Sequence, residues 1–248
     1  MTTASPPLLV FDLDGTLANT AGDLMGTLNF ILAQNGIAAL PVEKAHSLLG
    51  AGARALLRRG FAAQGETLTD ARVEMLFDQF IGHYSENIAI HSHLFPGVNA
   101  ALDRFSQHNF RFAICTNKVE ALAVKLLGAL NVAQRFDAIC GQDSAIIDGR
   151  AVQKPDPRAL VHAIKTAGGV PERAIMIGDS KTDIDTARAA GIPVIAVDFG
   201  YTDIPVAQLG PDVVISHFDQ LWDAVHHIEH SILQQNSKSR LDFAATRP

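Results

Sequence analysis

Short apolar runs recur along the chain, and three of them end in polar residues. Leu8–Phe11, Arg111–Cys115, Asp137–Cys140, Ala174–Ile177, Pro193–Val197 and Val213–Ile215 are apolar nearly throughout. Runs this short, without polar alternation, predict strands buried on both faces. Val119–Leu130, Pro157–Ala167 and Thr182–Ala190 instead carry apolar residues at helical spacing. Strand, helix and strand in repetition predict an α/β fold, a parallel sheet covered by helices on both faces. Ligands of such sheets bind outside the carboxyl ends of the strands.

Between about residues 20 and 90 the pattern changes. Ala21–Asn35, Val42–Leu49, Ala53–Ala63 and Asp70–Asn87 all read as helical, with Gly36, Gly50, Gly52 and Gly65 as punctuation. No strand-like run interrupts them. The expectation is a helical domain over residues 19–90, inserted after the first strand and returning near His91–Gly97. The α/β core is then discontinuous, over residues 1–18 and 91–235, and the polar, aperiodic residues 236–248 form a flexible tail.

Composition narrows the class. The chain has 248 residues, 48% hydrophobic and 19% charged, with a formal net charge of −6. That is a folded protein with a sizeable core. The negative charge and the lack of a Lys/Arg-rich run argue against nucleic acid as a partner. No apolar run reaches the roughly 18–20 residues that span a bilayer, so no membrane role is expected. Cys115 and Cys140 sit inside apolar runs and read as core thiols of a cytoplasmic protein.

The chemistry gathers at three run ends. Asp12 and Asp14 follow the first, Thr116-Asn117-Lys118 the second, and Gly178-Asp179-Ser180 a third. Residues i and i+2 of an extended strand share a side, so Asp12 and Asp14 are expected to converge. Each end read singly fits a helix N-cap, whereas three ends at one sheet edge call for a site. A carboxylate can attack phosphorus, a second carboxyl can protonate the leaving oxygen, and a cation can offset the phosphoryl charge.

Asp12-Leu13-Asp14-Gly15-Thr16, Thr116, Lys154 in Lys154-Pro155-Asp156-Pro157, and Gly178-Asp179-Ser180-Lys181-Thr182-Asp183 together resemble the four ordered motifs of the haloacid dehalogenase-like hydrolases. The resemblance implies a Rossmann-like α/β core with an inserted all-helical type 1 cap. It implies Asp12 as nucleophile and Asp14 as general acid and then base. Thr116 and Lys154 would bind the phosphoryl group, with Asn117 beside them. Mg²⁺ would be held by Asp12, the Asp14 carbonyl and Asp179, and Asp183 would orient water or Lys154. Asp14 argues against dehalogenation, because a halide leaves without a proton.

Within the family, Leu49-Gly50-Ala51-Gly52-Ala53-Arg54, Asp23-Leu24, Phe95-Pro96-Gly97-Val98, Thr116-Asn117-Lys118 and Gly200-Tyr201 resemble phosphoglycolate phosphatases. The expected partner is a small phosphorylated metabolite, 2-phosphoglycolate first, with the protein a monomer or homodimer. Arg54 is the candidate for a substrate carboxylate. Asn19 and Gly141-Gln142-Asp143 depart from that family, which usually has Asp and Gly-Gly-Asp there. The alternatives are a β-phosphoglucomutase-like phosphomutase, a phosphatase of another sugar phosphate or nucleotide, and a non-catalytic binding protein. A phosphonate hydrolase would need a cap lysine, and the cap offers only Lys44. His83, Tyr84 and Trp222 read as packing residues, and His91 and His93 as hinge residues.

Overall fold

A computed structural model of the chain describes residues 5–50, 52–231 and 234. The first strand, β1 (Leu8–Phe11), is followed by a two-residue strand, β2 (Ala18–Asn19). Four helices come next: α1 (Ala21–Gln34), α2 (Ala45–Leu48), α3 (Gly52–Ala62) and α4 (Asp70–Glu86). The chain returns through β3 (His93–Leu94), α5 (Val98–Gln107), β4 (Arg111–Cys115), α6 (Glu120–Ala129) and β5 (Ala138–Cys140). A hairpin of β6 (Ala145–Ile147) and β7 (Arg150–Val152) precedes α7 (Pro157–Thr166), β8 (Ala174–Gly178), α8 (Lys181–Ala189), β9 (Val194–Val197) and β10 (Val213–Ile215). Residues 221–231 are helical.

The main sheet has six parallel strands in the order β10-β9-β8-β1-β4-β5. All four residues of β1 are buried, because alternate side chains feed two cores. Leu9 and Phe11 pack on one face with Phe112, Ile114, Ile175 and Ile177, and Leu8 and Val10 pack on the other with Ala113, Ala174 and Met176. The first of these cores continues without a break into the cap helices through Leu28, Leu57 and Phe80. Strand order reverses about β1, with β4 and β5 to one side and β8 to β10 to the other. A crevice opens at such a switch point.

The helical segment is joined to the sheet through two short antiparallel strands in which Ala18 opposes Leu94 and Asn19 opposes His93. Asp23 in the first turn of α1 is buried and clamps the return strand. It accepts hydrogen bonds from the His91 and Ser92 amides, both at 2.9 Å, and from Ser92 Oγ at 2.6 Å.

Four local features differ from the expectation. Val42–Leu49 is not one helix: Val42–Lys44 is a 3₁₀ turn leading into α2. Helix α5, the hinge strands and the β6–β7 hairpin were not anticipated. Of the expected tail, residues 236–248, all lie outside the described residues.

Candidate active site

Strand ends set the site. Asp12 follows β1, Thr116 follows β4 and Asp179 follows β8, the three adjacent central strands. Gly15 turns the chain directly after the acids, with φ of +84°, and a Cβ there would lie 2.6 Å from Asp179 Oδ2. Only glycine tolerates both the conformation and the approach.

Asp12 and Asp14 line one cavity, about 70 Å³ in volume, between the sheet edge and the cap. They do not share a partner, since the strand has ended at Phe11 and the alternation of an extended chain no longer holds. Asp12 lies 3.0 Å from Lys154 Nζ, and its Oδ1 accepts from the Leu13 amide at 2.7 Å. Asp14 is gripped by Lys118 Nζ, 2.8 and 2.9 Å from its two oxygens, and by Thr20 Oγ1 at 2.8 Å.

Lys154 is buried and bridges Asp12 to Asp183, whose Oδ1 is 2.5 Å from Nζ. Burial opposes the lysine charge, but Asp12 and Asp183 outweigh it and hold its pKa above the ordinary value. The other Asp183 oxygen accepts from the Ser180 amide and hydroxyl, closing a capping box on α8. One carboxylate thus starts the helix and anchors the lysine. Thr116 is buried and lines the cavity. Asn117 donates from Nδ2 to the Lys154 carbonyl at 2.9 Å, leaving its buried Oδ1 without a hydrogen-bond partner.

Asp12, Asp179 and Asp183 each offer a carboxylate oxygen, all within 4.8 Å of one another, and could hold a metal ion. Burial pushes the Asp12 carboxyl up to about 7; Lys154 opposes this, while Asp183 and Asp14 add to it. Burial likewise pushes Asp179 up to about 8, helped by Asp183 and Asp12. Crowded acids that resist ionisation are short of positive charge, and all-oxygen donors suit a hard divalent cation.

Arg54 stands apart from these residues. Its guanidinium makes a two-pronged ion pair with Glu74, at 2.8 and 2.7 Å, and stacks on Phe77. It is not among the residues lining the cavity. Residues that sequence reasoning left without a role are found here instead. Thr16 Oγ1 donates to Asp179 at 2.9 Å and the Tyr201 amide donates to its other oxygen at 2.6 Å. Lys118, Tyr84 and Gln142 line the cavity. Thr16 and Lys118 lie inside the quoted motifs, which was a usable signal; the place of Tyr84 depends on how α4 seats, which no local pattern carries.

The model of the haloacid dehalogenase-like hydrolases matches residues 9–197. A phosphoglycolate phosphatase of Mesorhizobium japonicum is 48% identical over 217 residues, spanning 88% of this chain and 93% of the relative. One from Agrobacterium fabrum is 44% identical over 220 residues, with 88% and 92% covered. A crystal structure described as a predicted phosphoglycolate phosphatase from Haemophilus somnus superposes with a TM-score of 0.79 at 28% identity, over 89% of this chain and 98% of that one. Family model, relatives and fold together show that the chain belongs to the haloacid dehalogenase-like hydrolases, as a phosphoric monoester hydrolase similar to phosphoglycolate phosphatases.

Proposed function

We propose that the chain is a Mg²⁺-dependent phosphatase that hydrolyses 2-phosphoglycolate through an aspartyl-phosphate. The carrying observation is the placement of Asp12 and Thr116 at adjoining strand ends lining a small cavity, with the Lys154 ammonium 3.0 Å from Asp12. The relatives from Mesorhizobium japonicum and Agrobacterium fabrum are named phosphoglycolate phosphatases, which supports the choice of substrate.

In this reading an Asp12 oxygen attacks phosphorus, and the bond from phosphorus to the glycolate oxygen breaks. Asp14 gives its proton to that leaving oxygen. Asp14 then takes a proton from water, which attacks phosphorus, releases phosphate and regenerates Asp12. Thr116 and Lys154 bind the phosphoryl oxygens, and Asn117 supports the position of Lys154 through its carbonyl. Mg²⁺ held by Asp12, the Asp14 carbonyl and Asp179, with Asp183 beside it, would neutralise phosphoryl charge. Residues 19–90 act as a cap on the core of 1–18 and 91–235, opening for substrate and excluding water when closed.

Phosphate release from 2-phosphoglycolate and a panel of metabolite phosphates tests this, with Asp12→Asn as the control. The expected outcome is Mg²⁺-dependent release, greatest for 2-phosphoglycolate, and loss of turnover by several orders of magnitude in Asp12→Asn. Turnover surviving in that variant removes Asp12 as nucleophile. A hexose 1-phosphate isomerised rather than hydrolysed would instead indicate the phosphomutase chemistry.

A further inference from the structure

We propose that Lys118 and Tyr84 form the subsite for the second anionic group of the substrate, and that filling this subsite frees the Asp14 side chain from Lys118 to turn toward the leaving group. The inference rests on the phosphatase reading and assigns its specificity to residues other than Arg54.

Among the described residues lining the cavity, Lys118 carries the one positive charge. Its ammonium is buried, between the Asp14 carboxylate and the ring of Tyr84, whose centroid lies 4.6 Å away. The backbone that carries it is fixed. The Lys118 carbonyl accepts from the Gln142 amide at 3.0 Å, and its amide donates to Thr116 Oγ1 at 3.2 Å. Gly141 packs so tightly under this loop that a Cβ there would fall 2.5 Å from the Lys118 oxygen and 2.3 Å from the Glu120 nitrogen. Thr116, proposed to bind the phosphoryl group, and Lys118 therefore project from one rigid turn. That arrangement suits a ligand with two anionic ends a short way apart.

Tyr84 supplies the independent observation. It is 1% exposed, it lines the same cavity, and its hydroxyl, beside the Lys118 ammonium, has no acceptor for its proton. A buried hydroxyl left unpaired is costly, and a ligand carboxylate beside Lys118 would accept its proton. Among the described residues no other basic side chain lines the cavity, and Arg54 is engaged with Glu74 and stacked on Phe77.

The same lysine restrains Asp14. Bound by Lys118 and Thr20, the Asp14 carboxylate has its oxygens committed away from a leaving group. An incoming carboxylate can take the ammonium without leaving the buried charge unpaired, because one anion replaces another. Two carboxylates on one lysine repel each other, and Asp14 can give up the lysine because Thr20 Oγ1, at 2.8 Å, remains as its partner. A substrate with no second anion cannot make this exchange. Selectivity is then expressed in kcat as well as KM.

The test compares 2-phosphoglycolate with ethyl phosphate, of similar size but without the carboxylate. Both are assayed with the wild-type enzyme, Lys118→Met, Lys118→Arg and Tyr84→Phe, each verified as folded by thermal melting. The readout is the ratio of kcat/KM for the two esters. The ratio is expected to fall about tenfold or more in Lys118→Met, the worth of one charged hydrogen bond. Lys118→Arg should recover part of it, and Tyr84→Phe should lower it by a few fold. An equal loss on both esters in Lys118→Met would mean that Lys118 serves only to hold Asp14, and would overturn the subsite while leaving the phosphatase reading intact. A wild-type enzyme that hydrolyses neither ester would remove both.

Discussion

Lys154 sits where two negative groups would otherwise face each other, 3.0 Å from Asp12 and 2.5 Å from Asp183. Breaking a buried pair by deleting one partner leaves charge uncompensated and typically costs about 3–5 kcal/mol. Lys154→Met should therefore lower unfolding free energy by about that amount in urea titrations at pH 8, beyond its loss of activity. The cost should shrink on acidification, because Asp12, with a pKa already raised to about 7, can take a proton instead. A loss that is the same at pH 6 and pH 8 would contradict this charge balance. At this level the sequence was informative wherever a residue lies inside an ordered motif, as Asp12, Lys154 and Asp179 do. It was uninformative for Tyr84, whose heptad-like neighbours Phe77 and Phe80 read equally well as packing. Asp183 was expected to orient water or Lys154, and its two oxygens divide the work, one meeting Lys154 and the other capping α8.

Between elements, the hinge is held by side chains remote in sequence. Tyr201 is the main one: its hydroxyl accepts from the amides of Thr20 at 2.7 Å and Ala21 at 2.9 Å, and donates to Asn19 Oδ1 at 2.9 Å. Its own amide binds Asp179, so one residue ties the hinge to the acid cluster. Tyr201→Phe removes only the hydroxyl and leaves the buried Thr20 amide unpaired, which should cost about 1–3 kcal/mol in chemical denaturation. Turnover should fall as well, since Thr20 also positions Asp14; wild-type stability and kcat in this variant would show the hinge to be fixed by other contacts. Such a clamp explains why β2 and β3 were not legible. Two-residue strands have no pattern of their own and exist because Tyr201 and Asp23 hold them together. The other omissions were readable. Val98, Ala101, Leu102 and Phe105 of α5 are spaced for one helix face, and all are buried. Asp148 and Gly149, both at positive φ, between β6 and β7 are an Asp-Gly hairpin turn. The cysteines also take their character from the sheet. They lie opposite one another on β4 and β5, and burial pushes their thiols up to about 12 for Cys115 and about 11 for Cys140. A thiol-specific reagent should modify both in urea and neither in the native protein.

Across the molecule, no helix among the described residues is long and apolar enough to cross a membrane. What dominates its electrostatics is the acid cluster at the centre of the sheet edge, and this makes stability depend on pH and metal together. Folding raises Asp12 from 3.8 to about 7 and Asp179 from 3.8 to about 8. Between those values the folded chain binds more protons than the unfolded one, so without metal its stability is greatest below the unfolded pKa and is lost as pH rises through 7 to 8. A divalent cation takes the ionised carboxylates and displaces their protons, so its stabilisation must grow over the same interval. Melting temperatures measured in EDTA and in excess Mg²⁺, at about pH 5, 6.5 and 8, should therefore diverge as pH rises. At a hundredfold excess over the dissociation constant, the metal contributes about 2.7 kcal/mol. Asp179→Asn removes one of the two raised acids together with an oxygen of the proposed metal site, and should flatten both curves and bring them together. Curves that run parallel in the unaltered protein, or that converge toward pH 8, would mean that Asp12 and Asp179 are not the metal site and that their burial is compensated elsewhere.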